Sequence, residues 1–157
     1  MKIILLFLTL LPFYSSGQVD LVKVVKSDNK MYLLERGNVI KEYHVALGGN
    51  PEGHKEQEGD EKTPEGIYTL DYKKEDSSFY RSMHISYPNQ ADLDNAKKKG
   101  VSAGGFIMIH GQKNNFGEFS RFTQLSNWTD GCIALTNPEI DEFMSLVSVG
   151  TKITIQW

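Results

Sequence analysis

Cysteine is almost missing from this chain of 157 residues: there is one, Cys132. An intrachain disulfide is therefore excluded, and a zinc site is disfavoured, the more so as His44 and His54 have no partners at ligand spacing. Arginine is scarce too, with Arg36, Arg81 and Arg121 alone, and the formal net charge is −3. No basic stripe interleaves with the aromatics, which argues against nucleic acid or anionic lipid as the main partner. Long apolar runs are lacking as well. The N-terminal one, Ile3 to Phe13, falls well short of the roughly 20 residues that span a bilayer. Lys2 before it and Ser15-Ser16-Gly17 after it have the form of a signal peptide over residues 1–17, with Gln18 as the mature start. No cysteine follows the run to carry a lipid. The expectation is an exported chain without a stable membrane anchor, in which residues 18–157 form one domain.

Export sharpens the question of the single thiol, because small exported domains ordinarily use cysteines in pairs. Cys132 reads as half of an intermolecular disulfide, as a buried thiol packed like a small hydrophobe, or as a reactive group. Its neighbours must decide.

Hydrophobic alternation reads mostly as strand. Val39, Tyr43, Val45 and Leu47 share one side of "VIKEYHVAL"; Tyr68, Leu70 and Tyr72 share one side of "GIYTLDY", and Ile153, Ile155 and Trp157 one side of "KITIQW". Leu21 to Lys26 and Met31 to Glu35 around "SDN" predict a hairpin, and "RGN" at Arg36 to Asn38 turns into the next strand. In "GGFIMIHG" the apolar run Phe106 to Ile109 predicts a strand buried on both faces. Helices are few. "TNPEIDEFMSLVSVG" predicts one with Asn137 as N-cap, Pro138 in the first turn and Ile140, Phe143, Met144 and Val147 on one face. A second runs from Ala91 to Lys99, capped by Gly100. Gly48 to Thr63 and Gly111 to Asn127 lack any period and are long enough to be functional loops.

The thiol now has neighbours. His110 ends the strand "FIMIH", and Cys132 opens "CIAL" after the turn Thr129-Asp130-Gly131. At the ends of two strands they can face each other as base and nucleophile, since cysteine attacks as thiolate and an imidazole can take its proton. Gly131 permits a sharp turn that aims its own N–H and that of Cys132 at a developing oxyanion.

The segments "KTPEGIY", "IMIHG" and "WTDGCIAL", in that order, resemble the L,D-transpeptidase catalytic domain (the YkuD family), whose hallmark is a His-Gly strand end and a Ser/Thr-x-Gly-Cys segment. The resemblance runs from about Leu21 to Ile155. "HISYPNQADLDNA" and "DGCIALTNPEIDEF" are similar to the YafK-like murein-processing branch. The resemblance implies a mainly β fold, a sandwich or barrel-like domain with an open cleft and a few peripheral helices. It implies peptidoglycan stem peptides as substrate, no cofactor and no metal. Cys132 would attack the carbonyl of the third stem residue, expel the terminal D-alanine and form a thioester. An amine from another stem or from a wall-attached lipoprotein resolves it in a transferase, water in a hydrolase. His110 matches the general base, the Gly111 carbonyl the group that orients it, and Gly131 the oxyanion turn. The setting implied is the periplasm or the cell wall.

Two positions depart from the family pattern. Many members carry Arg two residues after the cysteine, where this chain has Ala134, and the usual serine is Thr129. Arg121 or Lys113 is then a candidate for holding a substrate carboxylate. His84, Tyr87, Trp128 and Thr129 are further substrate-contact candidates, although His84 also reads as solvated and an aromatic in a β domain is more often core. Asp130 is assigned to the turn, since an inward carboxylate would disfavour the thiolate. A sortase would need an arginine downstream of the cysteine, and residues 133–157 have none. A non-catalytic wall-binding domain is the remaining alternative, and it predicts loss of His110 or Cys132, both of which are present.

Overall fold

The computed structural model describes residues 18–115 and 120–157, the side chains of Ser120 and Arg121 excepted. Eight strands lie in one sheet: β1 (Leu21–Val25), β2 (Lys30–Glu35), β3 (Asn38–His44), β4 (Gly66–Ser77), β5 (Tyr80–Ile85), β6 (Met108–His110), β7 (Ile133–Ala134) and β8 (Lys152–Gln156). Their order is β3-β2-β1-β8-β4-β5-β6-β7. Two ten-residue helices, α1 (Gln90–Lys99) and α3 (Asn137–Leu146), and a four-residue turn of helix, α2 (Ser120–Thr123), complete the described elements. The fold is thus mainly β with few helices, as the alternation predicts.

Local chemistry explains the first half of the sheet. Lys26–Asp28 make a single 3-10 turn that Asn29 closes in the left-handed region (φ 51°), and Arg36 and Gly37 (φ 50° and 81°) form the tight turn into β3. β1 pairs antiparallel with β2 and parallel with β8, so strands from opposite ends of the chain lie side by side. β4 is the longest strand and joins the two halves: Gly66 to Thr69 pair with β8, while Leu70 to Ser77 pair with β5 across two register shifts. Such bulges bend a strand. The sheet is not closed. The segment after β3 nevertheless returns to β7 and the turn before it through two isolated bridges, Ala46 with Ala134 and Gly48 with Thr129.

The core lies on one face of this sheet. Val22, Val24, Met31, Leu33, Tyr43, Val45, Leu47, Leu70, Met83, Ile85, Ile109 and Ile133 are buried in it, and α3 covers it with Ile140, Phe143, Met144 and Val147. Each large aliphatic side chain so buried stabilises the fold by about 1.5–3 kcal/mol before entropy is charged against it.

Three details differ from the sequence expectation. Val39 is 57% exposed, because a shift of register at Leu33/Leu34 breaks the alternation of β3 before Tyr43. Phe106 is 82% exposed with φ 55°, and β6 begins only at Met108, so the run read as doubly buried has an outward-facing start. The N-cap of α3 is Thr136: Glu139 Oε2 accepts hydrogen bonds from its N–H (3.0 Å) and its hydroxyl (2.6 Å). Asn137 Oδ1 accepts instead from Gln112 N–H at 2.8 Å, tying the segment after β6 to the helix.

Candidate active site

Three neighbouring strand ends build the site. β6 pairs antiparallel with β5 and parallel with β7, with His110 opposite Ser82 on one side and Ala134 on the other. Side chains two apart share a face of a strand, so Cys132, two before Ala134, comes to the face that His110 presents. Both line a cavity of about 220 Å³ together with Ser82, Phe79, Phe106, Met108 and Trp128.

His110 is buried (4% exposed). Its Nδ1 lies 2.6 Å from the Gly111 carbonyl oxygen. A carbonyl only accepts, so Nδ1 carries the proton and Nε2 the lone pair. Phe79 lies against the ring with 4.6 Å between centroids, and Trp128 meets it edge-on at 5.8 Å. Burial pulls the imidazole pKa down to about 4, against the Gly111 carbonyl, which raises it. The ring is therefore neutral near pH 7.

Cys132 is half-buried. Its sulfur accepts from the Met108 N–H at 3.4 Å and donates to the Phe106 carbonyl at 3.8 Å. Burial pushes the thiol above its ordinary pKa; the Met108 N–H works against this, and Asp130 adds to it. Base and thiol are thus both uncharged at rest. No hydrogen bond joins them among the described residues, so proton transfer requires the thiol to turn from Phe106 toward Nε2, a tightening that substrate ordinarily brings.

The turn before the thiol is fixed by Thr129. Its hydroxyl donates to the Cys132 carbonyl (2.7 Å) and accepts from the Gly131 N–H (3.2 Å). The Gly131 donor is thereby occupied, whereas the N–H of Cys132 itself makes no hydrogen bond among the described residues. Gly131 has φ 126°, a region suited to glycine.

The Gly48–Thr63 loop packs on this turn. Gly49 N–H donates to the Thr129 carbonyl (2.9 Å), Gly48 N–H to Thr63 Oγ1 (3.0 Å), and a β-carbon on Gly48 would overlap the Glu61 carbonyl oxygen. Beyond Phe106 and Asp130, which it shares with the thiol cavity, lies a groove of about 520 Å³ walled by Lys55, Glu58 and Ser102. Lys55 is buried and ion-paired with Asp60 at 2.7 Å.

The other sequence candidates fall in different places. Trp128 and Thr129 line the thiol cavity. His84 does not: its Nδ1 is 2.7 Å from Asp71 Oδ1 and its ring stacks on Tyr72. Tyr87 is buried and donates to the Ala103 carbonyl at 2.9 Å, against Tyr68 and His54. The Arg121 side chain lies outside the described residues, and Lys113 is exposed. Ala134 is fully buried, and its N–H and carbonyl bond Ala46. Phe79, Ser82, Phe106 and Lys55 were not singled out from the sequence. Ser82 had a signal, since it shares a strand face with His84 in "RSMHISY". Among the described residues no group of three or more His, Cys, Asp or Glu is placed to hold a metal.

Residues 20–155 match the YkuD family, the L,D-transpeptidase catalytic domain. YafK of Escherichia coli (strain K12) is 28% identical over 116 residues, covering 73% of this chain and 39% of YafK. Among solved structures, the helical cell shape determining protein Pgp2 from Campylobacter jejuni superposes with TM-score 0.65 at 29% identity, over 91% of this chain and 49% of that one. An L,D-transpeptidase from Mycobacterium smegmatis shares the fold at 15% identity and TM-score 0.56, over 87% and 58% of the two chains. The chain therefore spans about half the length of Pgp2 and less of YafK.

Proposed function

The chain belongs to the YkuD family of L,D-transpeptidase catalytic domains, and on that premise we propose that it is an exported cysteine enzyme acting on peptidoglycan stem peptides through a Cys132 thioester. Residues 1–17 serve as signal peptide and residues 18–157 as the catalytic domain, working in the periplasm or at the wall. No helix among the described residues is long and apolar enough to cross a membrane.

The observation that carries this reading is the placing of Cys132 beside a buried neutral His110 in one cavity. The carbonyl carbon of the third stem residue enters over the sulfur. The thiol proton passes to Nε2 as sulfur attacks, the Gly111 carbonyl steadies the imidazolium that forms, and the Cys132 N–H meets the oxyanion. Collapse of the adduct expels the terminal D-alanine, which takes the proton from Nε2. An amine, from another stem or from a wall-attached lipoprotein, then resolves the thioester in a transferase, and water in a hydrolase. With the position of the usual family arginine occupied by buried Ala134, Lys55 is the cation at the wall of the adjoining groove, and the rest of the stem lies there.

Incubation with purified muropeptides and separation of the products by mass tests the reading. A crosslinked dimer means transfer, and a shortened stem or a released lipoprotein peptide means hydrolysis. Unchanged muropeptides, with folded protein confirmed, would overturn it.

A further inference from the structure

Ser82 is 1% exposed, lines the thiol cavity and stands directly across the β5–β6 ladder from His110. Its hydroxyl makes no hydrogen bond among the described residues. The other buried polar side chains nearby are engaged: Thr129 with the Cys132 carbonyl, Gln112 with the Leu135 carbonyl, Gln124 with the Ala134 carbonyl. Trp128 Nε1 is unpartnered too, but it is sealed from solvent. The oxygen is not sealed in the core: it opens on an otherwise apolar wall of Phe79, Phe106 and Met108, where it is the hydroxyl available to a ligand.

Strand order shows what it faces. β5, β6 and β7 are consecutive in the sheet, so His110 has Ser82 across from it on the β5 side and Ala134 on the β7 side, with Cys132 two residues before Ala134. We propose that the Ser82 hydroxyl holds the nucleophile that resolves the acyl-enzyme, and so controls the second half of the reaction and not the first; this rests on Cys132 being the acylated residue. Once the thioester has formed, the Cys132 flank of the base is filled by the acyl group. The incoming amine or water must then reach Nε2 from the other flank. Cross-strand β-carbons lie about 4.5–5.5 Å apart, and both side chains line one cavity, so a small nucleophile seated there over Ser82 can reach hydroxyl and imidazole together. There Ser82 Oγ accepts one N–H or O–H of the nucleophile, Nε2 takes a second proton from it, and its lone pair is left for the thioester carbonyl carbon. As the new C–N or C–O bond forms, the C–S bond breaks, and the departing thiolate recovers the proton from the imidazolium.

The test follows both half-reactions by quenched intact mass during turnover of a tetrapeptide stem, with Ser82→Ala and Ser82→Thr. Ser82→Ala is expected to form the thioester at the wild-type rate, with an unchanged pH profile, and to lose it more slowly by about tenfold or more, so that acyl-enzyme accumulates. Ser82→Thr, which keeps the hydroxyl, is expected to restore the decay to within a few fold. Formation and decay slowed together, or neither slowed, would overturn the proposal by giving Ser82 a merely structural place. Failure of the underlying reading looks different: wild type then shows no thioester, and Cys132→Ala still turns over the stem.

Discussion

Gly131 faces Lys62 so closely that a β-carbon on it would lie 2.6 Å from the Lys62 carbonyl oxygen. The turn that presents the thiol is thus fitted against the far end of the Gly48–Thr63 loop, and the fit exists because residue 131 has no side chain. Gly131→Ala adds backbone strain at φ 126° to a contact that backbone atoms cannot easily yield. Gly150, with φ 94° and nothing within 4 Å of its virtual β-carbon, isolates the strain alone. Gly150→Ala is expected to cost roughly 1 kcal/mol and Gly131→Ala roughly 3 kcal/mol, measured by denaturant unfolding. Gly131→Ala also slows thioester formation, and equal losses from the two substitutions would contradict the packing argument.

Cys132→Ala and His110→Ala are each expected to abolish turnover while the domain stays folded, because nucleophile and base act as one unit. A carbapenem is expected to add once per chain, at Cys132, as intact mass and peptide mapping will show. Persistent activity in Cys132→Ala counts against the cysteine mechanism; melting temperatures measured alongside separate loss of chemistry from loss of fold.

Much of this arrangement was legible in the sequence because it is local. Tyr43, Val45 and Leu47 are buried as the alternation predicts, although β3 ends at His44 and Ala46 is buried with them, and His110-Gly111 with Gly131-Cys132 gives two segment ends bearing chemistry. What the sequence hid is what depends on partners. Val39 continues the alternation on paper, but a register shift against β2 turns it outward. Phe106 looks like core, yet Gly104 and Gly105 precede it and its own left-handed φ points it over the cleft. His84 and Ser82 share a strand face, and only the neighbours Asp71, Tyr72 and His110 separate their surroundings. The parallel pairing of β1 with β8 joins the two ends of the chain, which no local pattern encodes.

The pH dependence follows from the buried base. The folded pKa of His110 is about 4 against an ordinary 6.5. Between these values the unfolded chain binds a proton that the folded chain does not, so stability falls as pH drops from 6.5 toward 4, and the effect levels off below. The size is roughly 3 kcal/mol at about 1.4 kcal/mol per unit. His110→Gln is expected to flatten this acid limb in denaturant unfolding at a series of pH values. For activity, the base is free from about pH 5 upward, so kcat/KM is expected to hold level through neutrality. A steep rise centred near pH 6.5 would show that the imidazole is solvated and not buried.

Lys26 supplies the last prediction. It is 1% exposed, and its ammonium donates to the Gly53 carbonyl (2.7 Å), the Thr63 carbonyl (2.9 Å) and Glu65 Oε1 (2.9 Å). Burial lowers its pKa, and the Glu65 carboxylate opposes that shift. One cation from the end of β1 thus fastens both the middle and the end of the loop that packs on Gly131. Lys26→Met keeps most of the volume and leaves two carbonyls and the partly exposed Glu65 carboxylate without their donor, a loss of roughly 1–3 kcal/mol. The loss should be local first. Hydrogen exchange is expected to rise across Gly48–Thr63 before the core of β1, β2 and β8 responds, and thioester formation should slow because the turn at Thr129-Gly131 loses its support. If exchange rises uniformly through the sheet instead, Lys26 holds the fold as a whole, and the loop is no separate unit.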